Sequence, residues 1–350
     1  MKILKKHGTG ALLDTRPGEK KLKDYKFEEA VASVNPVVWE EKPQSKWRKF
    51  PIFNQDGSGS CVAQTAAKLL GIMYWLLNGI YVHFSATDIY QRRSNKPGAG
   101  MIGVDAFDIM TEGVTLEDLV PSQNMNDAQM DAVDIPDYKR KVGEIFKIAT
   151  NFLQPATKDI DKIASIIQTT GKGVMVWFYF TYKEWTDHPF IDEPNLDLNA
   201  QSTLKHSVTA VDFALVNGKK CLIIDDSWGP QYGLGGQRII DEDFFKARNF
   251  FAAYPMNFKF STGEGEKPKH IFLQDLELNA QGPEIVALQD CLKFDGEFAT
   301  NIQSTGYYGT ITQKAVQQFQ EKYKIASAGV PGYGRTGPKT REKLNELFGQ

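Results

Sequence analysis

A helical period of hydrophobic positions begins just after residue 60. In SCVAQTAAKLLGIMYWLLNGI, the residues Val62, Ala66, Leu69, Leu70, Met73, Leu76 and Leu77 recur at helical spacing. Gly79 is the expected stop, because glycine readily takes the left-handed turn that closes a helix. The pattern predicts a largely buried helix with Ser60 and Cys61 at its N-terminus. Residues 85–135 carry shorter helical patterns broken by Gly98, Gly100, Gly103 and Gly113, and residues 156–170 read as helix again. From Gly173 the period changes. GVMVWFYF, HSVTAVDFALV, KKCLIID and QRII read as strands. Helices first and strands afterwards predict an α+β fold with segregated halves, not a doubly wound sheet.

The two ends of the chain differ from this body. Residues 1–35 are polar and Lys-rich, and read as an extended arm or a short pro-segment. Residues 261–270 (STGEGEKPKH) have the composition of a linker. Beyond them, Ile285, Leu288 and Leu292, then Ala315, Val316 and Phe319, then Leu344 and Leu347, mark three amphipathic helices. Two Gly-x-x-Thr turns, Gly309 to Thr312 and Gly337 to Thr340, each precede a helix, and each threonine is read as an N-cap. The expected domains are therefore residues 36–260 and a small three-helix unit over 271–350.

Composition narrows the function classes. The 350 residues are 41% hydrophobic and 24% charged, with a net charge of −2. That balance fits a globular protein and lacks the basic excess of a nucleic-acid binder. The basic N-terminus is not followed by an apolar core of the signal-peptide type, and no stretch is long enough to span a bilayer. Synthesis in the cytoplasm is expected. Three cysteines exclude dense disulfide stapling. Cys221, in an apolar strand, and Cys291, in a helical stripe, read as core. His7, His83, His188 and His270 have no metal-like spacing, and no cysteine pair has zinc spacing, so no metal site is expected. The acidic stretch from Phe190 to Asn199 reads as a solvated loop, and the run Trp177 to Phe180 as sheet core.

Cys61 stands apart. A thiol is a strong nucleophile only as thiolate, and a helix N-terminus and a neighbouring imidazolium both stabilise that anion. Gly57, Ser58 and Gly59 precede it and favour a tight turn that presents the sulfur. The segment NQDGSGSCVAQ resembles the nucleophile segment of the papain-like (C1) cysteine peptidases, above all their bacterial branch. Far downstream, KHSVTAVDF and IIDDSWGPQYGLGGQRII resemble that family's histidine strand and its Asn-Ser-Trp-Gly segment. The separation of Cys61 from His206 falls within the roughly 130–150 residues expected of such enzymes. The likeness covers residues 36–258.

The resemblance implies a two-lobed fold, one lobe helical and one β-rich, and a role for each matching residue. Cys61 is implied as nucleophile, His206 as its base, and Asp226 as the residue that orients the imidazole where the family has Asn. Gln55 is implied as an oxyanion donor, and Trp228 as cover for the His206–Asp226 pair. Gly59 and Ser60 are implied as lining for the substrate. Asp225 remains an alternative orienter. Val62 stands where plant members have an aromatic, and Ser58 where they have a disulfide-forming cysteine. The chemistry needs no cofactor.

Residues 271–350 resemble a small peptidoglycan-binding family, on Leu288, Gln289, Tyr308, Gly309, Thr312, Ala315, Val316, Phe319 and Gln320. The expected function is a cysteine endopeptidase acting on protein or peptide and held at the bacterial cell wall by this module. Other readings are a phage-type endolysin that cuts the peptide part of peptidoglycan, a catalytically inactive wall-binding protein, and acyl transfer through the same thioester chemistry. A phage-encoded protein acting at the envelope after release fits the expected lack of an export signal.

Overall fold

The computed structural model describes residues 8–14, 25–26, 36–148, 152–155, 158–186, 188–192, 194, 204–255, 267–298, 304 and 306–349. Most of the expected arm, residues 261–266 of the expected linker and most of the acidic stretch 190–199 lie outside the described residues. The chain divides into two compact units. One is built from residues 1–23, 34–148 and 154–255, and the other from residues 24–33, 149–153 and 256–350. The fold is mixed α+β.

In the first unit, helix α1 (Cys61–Asn78) starts at the expected residue. Every residue from Cys61 to Met73 is buried, so the helix is wrapped on all sides for most of its length. Gly79 closes it with φ 72° and ψ 0°, its N–H bonded to the Trp75 carbonyl. Leu76 and Leu77, at the end of the predicted stripe, emerge into solvent. Short helices follow over Ala86–Gln91, Gly103–Glu112, Asp127–Ala132 and Asp137–Gly143, the first two packed against α1. Two have side-chain caps. Ser85 accepts from the Asp88 N–H, and Asn126 with Gln129 forms a reciprocal capping box.

Six strands follow: β1 (Val174–Phe180), β2 (Phe190–Ile191), β3 (Leu204–Val216), β4 (Lys219–Asp225), β5 (Gln237–Asp241) and β6 (Asn249–Pro255). They lie side by side in the order β6-β1-β3-β4-β5-β2. All neighbours are antiparallel except β2 and β5. The expected strands are all present. β1 is buried on both faces apart from Tyr179, which explains its unbroken run of apolar residues. Register places His206 opposite Phe178, and Arg238 opposite Ile224. Helix α1 packs on β3. Ser207 donates its hydroxyl to Thr65 Oγ1 of α1 at 3.0 Å, so its neighbour His206 points the other way from the strand.

The second unit holds three helices, Pro283–Asp295, Thr310–Lys322 and Pro338–Phe348. Their shared core includes Ile285, Leu288, Leu292, Val316, Phe319, Leu344 and Phe348. The threonines of the two turns are not N-caps. The caps are Gly309 and Gly337, and the helices begin at Thr310 and Pro338. Thr312 and Thr340 are buried in the first turns and accept from glutamines of the preceding helices. Gln289 Nε2 reaches Thr312 Oγ1 at 3.0 Å, and Gln320 Nε2 reaches Thr340 Oγ1 at 2.9 Å. Each glutamine also accepts a glycine N–H, from Gly306 and Gly334 respectively. The same amide tie is thus used twice, once between each pair of successive helices.

Candidate active site

Cys61 is the first residue of α1, where the free N–H groups of the first turn and the helix dipole favour an anion. The backbone before it turns through Asp56, at φ 49°. Ser60 is the N-cap, its buried hydroxyl bonded to that of Ser58 at 2.7 Å. His206 comes from β3. Its Nε2 lies 2.8 Å from Asp226 Oδ1, and both residues are buried. His206 Nδ1 is buried with no hydrogen-bond partner among the described residues. The sulfur of Cys61 nevertheless interacts with the ring, and is among the groups that raise its pKa. Burial alone would lower that pKa. The charge of Asp226 and its hydrogen bond outweigh burial, and with Cys61 they raise it to about 9.

Asp225, the alternative orienter, is committed elsewhere. Its Oδ2 takes the Lys68 ammonium at 2.9 Å and its Oδ1 the Gln237 amide at 2.8 Å. Asp225 ends β4, and the chain turns the two neighbouring carboxylates to different partners. Asp226 therefore meets the imidazole, and Asp225 neutralises a buried lysine.

A family model for papain family cysteine proteases matches residues 39–243, more than half of the chain. The chain belongs to the papain family of cysteine proteases. A second model, for a peptidoglycan binding domain, matches residues 281–344. Oryzain beta chain from Oryza sativa subsp. japonica is 24% identical over 213 residues, which cover 56% of this chain and 42% of the rice protein. The chain thus spans less than half the length of that relative. Among solved structures, xylellain, a cysteine protease from Xylella fastidiosa, superposes with a TM-score of 0.55 at 18% identity, covering 73% of this chain and 98% of its own. The proform of the ragweed pollen allergen Amb a 11 superposes with a TM-score of 0.53 at 17% identity, over 79% and 70% of the two chains. These structural likenesses show a papain-like fold.

Around this papain-family centre the remaining expected residues fall close together. Trp228 is fully buried with its ring 5.3 Å from that of His206. Gln55 is buried beside Ser227, whose hydroxyl donates to Gln55 Oε1. The Gln55 amide N–H groups go to the Ser58 carbonyl at 2.8 Å and to the Gly8 carbonyl at 3.0 Å. Gly59 donates its N–H to Asp127 at 2.8 Å. The N-terminal segment lies directly on this turn. The Gly8 N–H bonds to Asp56, and the Gly10 carbonyl accepts from the Met101 N–H. A Cβ at Gly8 would stand 1.7 Å from the Ser58 carbonyl oxygen, and one at Gly10 would stand 1.8 Å from that of Gly59. Only glycine fits at either position.

Two residues at the centre escaped the sequence reading. Trp185 donates its indole N–H to Asp226 Oδ2 at 2.8 Å and stands edge-on to His206. Arg238 Nε donates to the same oxygen, also at 2.8 Å. Arg238 did carry a signal, because a charge next to the apolar pair Ile239 and Ile240 in an expected strand demands a partner. Trp185, in a short helix with no sequence pattern, carried none. Burial would raise the Asp226 pKa, but the charges of His206 and Arg238 outweigh it and hold the carboxyl well below the usual carboxylate range. Burial pushes Cys221 and Cys291 up to about 12, so neither is poised as a nucleophile.

Proposed function

We propose that the protein is a cysteine endopeptidase that works through Cys61, His206 and Asp226. The observation that carries the reading is the engagement of His206. Asp226 holds its Nε2, leaving Nδ1 for the cysteine at the start of α1. In this scheme the Cys61 thiolate attacks the scissile carbonyl carbon, and the carbonyl π pair moves to oxygen. The Cys61 N–H and the Gln55 amide hold that oxyanion. The oxyanion collapses, the C–N bond breaks, and His206 gives its proton to the leaving amine. Water, deprotonated by His206, then hydrolyses the thioester and releases the acid and the thiol. Trp228 keeps bulk water from the His206–Asp226 pair, and the turn at Gly59 and Ser60 lines the approach of the substrate.

In this reading the described arrangement is closed to substrate. Gly8 takes the Gln55 N–H that the oxyanion needs. Cys61 and His206 have no exposed surface. The segment over residues 8–12 must leave before substrate enters. The peptidoglycan-binding match supports a target at the bacterial cell wall, with the module raising local concentration and taking no part in the chemistry.

The test is incubation of the pure protein with a thiol-directed epoxide, with casein and with purified peptidoglycan. Peptide mapping should place the epoxide on Cys61 and leave Cys221 and Cys291 free. Cys61→Ala should keep the fold and lose all turnover. Equal labelling of the three cysteines would end this reading. Release of stem peptides from peptidoglycan with casein intact would favour the endolysin form of it.

A further inference from the structure

Asp226 is enclosed by donors. Oδ1 accepts from His206 Nε2 at 2.8 Å and from the Ser227 N–H at 2.7 Å. Oδ2 accepts from Trp185 Nε1 and Arg238 Nε, both at 2.8 Å. All four lone-pair directions of the carboxylate are used. An asparagine here would keep one oxygen for the imidazole, but its NH2 would meet two N–H donors head-on. The Arg238 side chain is itself 1% exposed. Its guanidinium lies over the rings of Trp185 and Trp228, at 5.4 and 5.7 Å. Nη1 reaches the His188 carbonyl at 3.3 Å, and Nη2 has no partner among the described residues. Among the described residues, the only carboxylate paired with this buried cation is Asp226.

The surroundings of Asp226 hold few other charges. From β3 comes His206, with Cys61 beyond it. From β5 comes Arg238. The helix Tyr182–Thr186 presents the neutral Trp185, while its Glu184 is bound to Arg248. Asp225 is turned to Lys68. A lone aspartate in this apolar box would tend to take up a proton. Beside an obligatory cation it stays ionised and keeps one orientation.

We infer that Arg238 is a positioning residue of the catalytic centre: it fixes the carboxylate of Asp226 in its charged form and makes aspartate, not asparagine, the residue this site requires. The inference rests on the reading of Asp226 as the orienter of His206. Removing Arg238 raises the pH at which Asp226 takes up a proton. Because the folded-state pKa of Asp226 is depressed, its orienting bond is present above that pKa and lost as pH falls through it. Without Arg238 that loss begins at a higher pH.

The experiment compares wild type, Asp226→Asn, Arg238→Met, the double variant Asp226→Asn/Arg238→Met, and Arg238→Lys, all as full chains. Two quantities are followed against pH: the rate at which a small thiol reagent labels Cys61, and the NMR titration of the His206 ring. In Arg238→Met the acid limb of labelling should move up by about one pH unit or more, the size of effect expected for an adjacent opposite charge. Arg238→Lys should keep the limb near its wild-type position. Asp226→Asn should be slowed by at least ~10-fold, the scale of loss for a misplaced reacting group. The double variant should recover part of that loss, since no unpaired buried cation remains. If Arg238→Met does not fold, the titration of Arg238→Lys against Arg238→Gln carries the same comparison. An unmoved acid limb and His206 titration, or an Asp226→Asn variant as reactive as wild type, would overturn the inference. A wild type whose Cys61 never labels would sink the peptidase reading, while the ring titration would still report on Arg238.

Discussion

Gln55 gives one amide N–H to the carbonyl of Gly8, 3.0 Å away, in the position where the proposed mechanism needs a donor for the oxyanion. The contact depends on two glycines, because a side chain at Gly8 or Gly10 would collide with the backbone of Ser58 or Gly59. Gly8→Val and Gly10→Val should therefore unseat the segment without touching the catalytic residues. Labelling of Cys61 by a small epoxide should accelerate. If the segment occupies the cleft nine-tenths of the time, the gain is roughly tenfold. An unchanged labelling rate in both variants would show that the segment is no barrier.

The same amide carries a second expectation. Gln55→Ala removes an oxyanion donor and leaves the Cys61–His206 pair in place. We expect kcat on a small peptide to fall by about 10²–10³-fold, the usual cost of one such donor. KM should change far less, because the donor acts on charge that exists only in the transition state. A loss expressed in KM alone would remove Gln55 from the oxyanion site.

Stability should depend on pH through His206. Its pKa is raised from 6.5 to about 9 in the fold. Below about 6.5 the ring is protonated both folded and unfolded, and the ion pair contributes fully. Between about 6.5 and 9 the unfolded chain has lost a proton that the folded chain keeps, so stability declines as pH rises. One such proton corresponds to a slope of at most ~1.4 kcal/mol per pH unit. Asp226 acts in the opposite sense: its contribution is present above the ordinary carboxylate pKa and lost on acidification. Denaturant unfolding from pH 6 to 9.5 measures the alkaline slope, which should vanish in His206→Gln. A slope that persists there belongs to another group.

Much of this centre was legible before any coordinates. Cys61 at a helix start, Gly79 as the stop and the strands after Gly173 follow from local rules of period and backbone freedom. The pairing of Cys61, His206 and Asp226 came through motif order. What failed was whatever depends on partners distant in sequence. Arg238 meets Asp226 because β4 and β5 lie side by side, and Trp185, in the helix that follows β1, meets it because β1 lies beside β3 and β3 beside β4. The threonines of the Gly-x-x-Thr turns were misread for the same reason. The local rule makes Thr312 and Thr340 caps, but buried glutamines from other helices claim their hydroxyls.

Those glutamines bear on whether the C-terminal module stands alone. Gln289 and Gln320 each tie a helix to the turn and helix that follow, and the three helices share a closed apolar core. Residues 267–350 should therefore fold when expressed by themselves. Gln320→Ala should destabilise that fragment by ~1–3 kcal/mol, because the Gly334 N–H, otherwise bonded to Gln320, is left buried without an acceptor. A chain ending at residue 260 should keep its activity on a small soluble peptide and lose activity on insoluble wall, where only local concentration has changed. Pelleting of the isolated fragment with purified peptidoglycan measures the binding directly. If the fragment folds and stays in the supernatant, while the shortened chain still attacks wall as fast as the whole, the module does not tether the enzyme and its place here is structural.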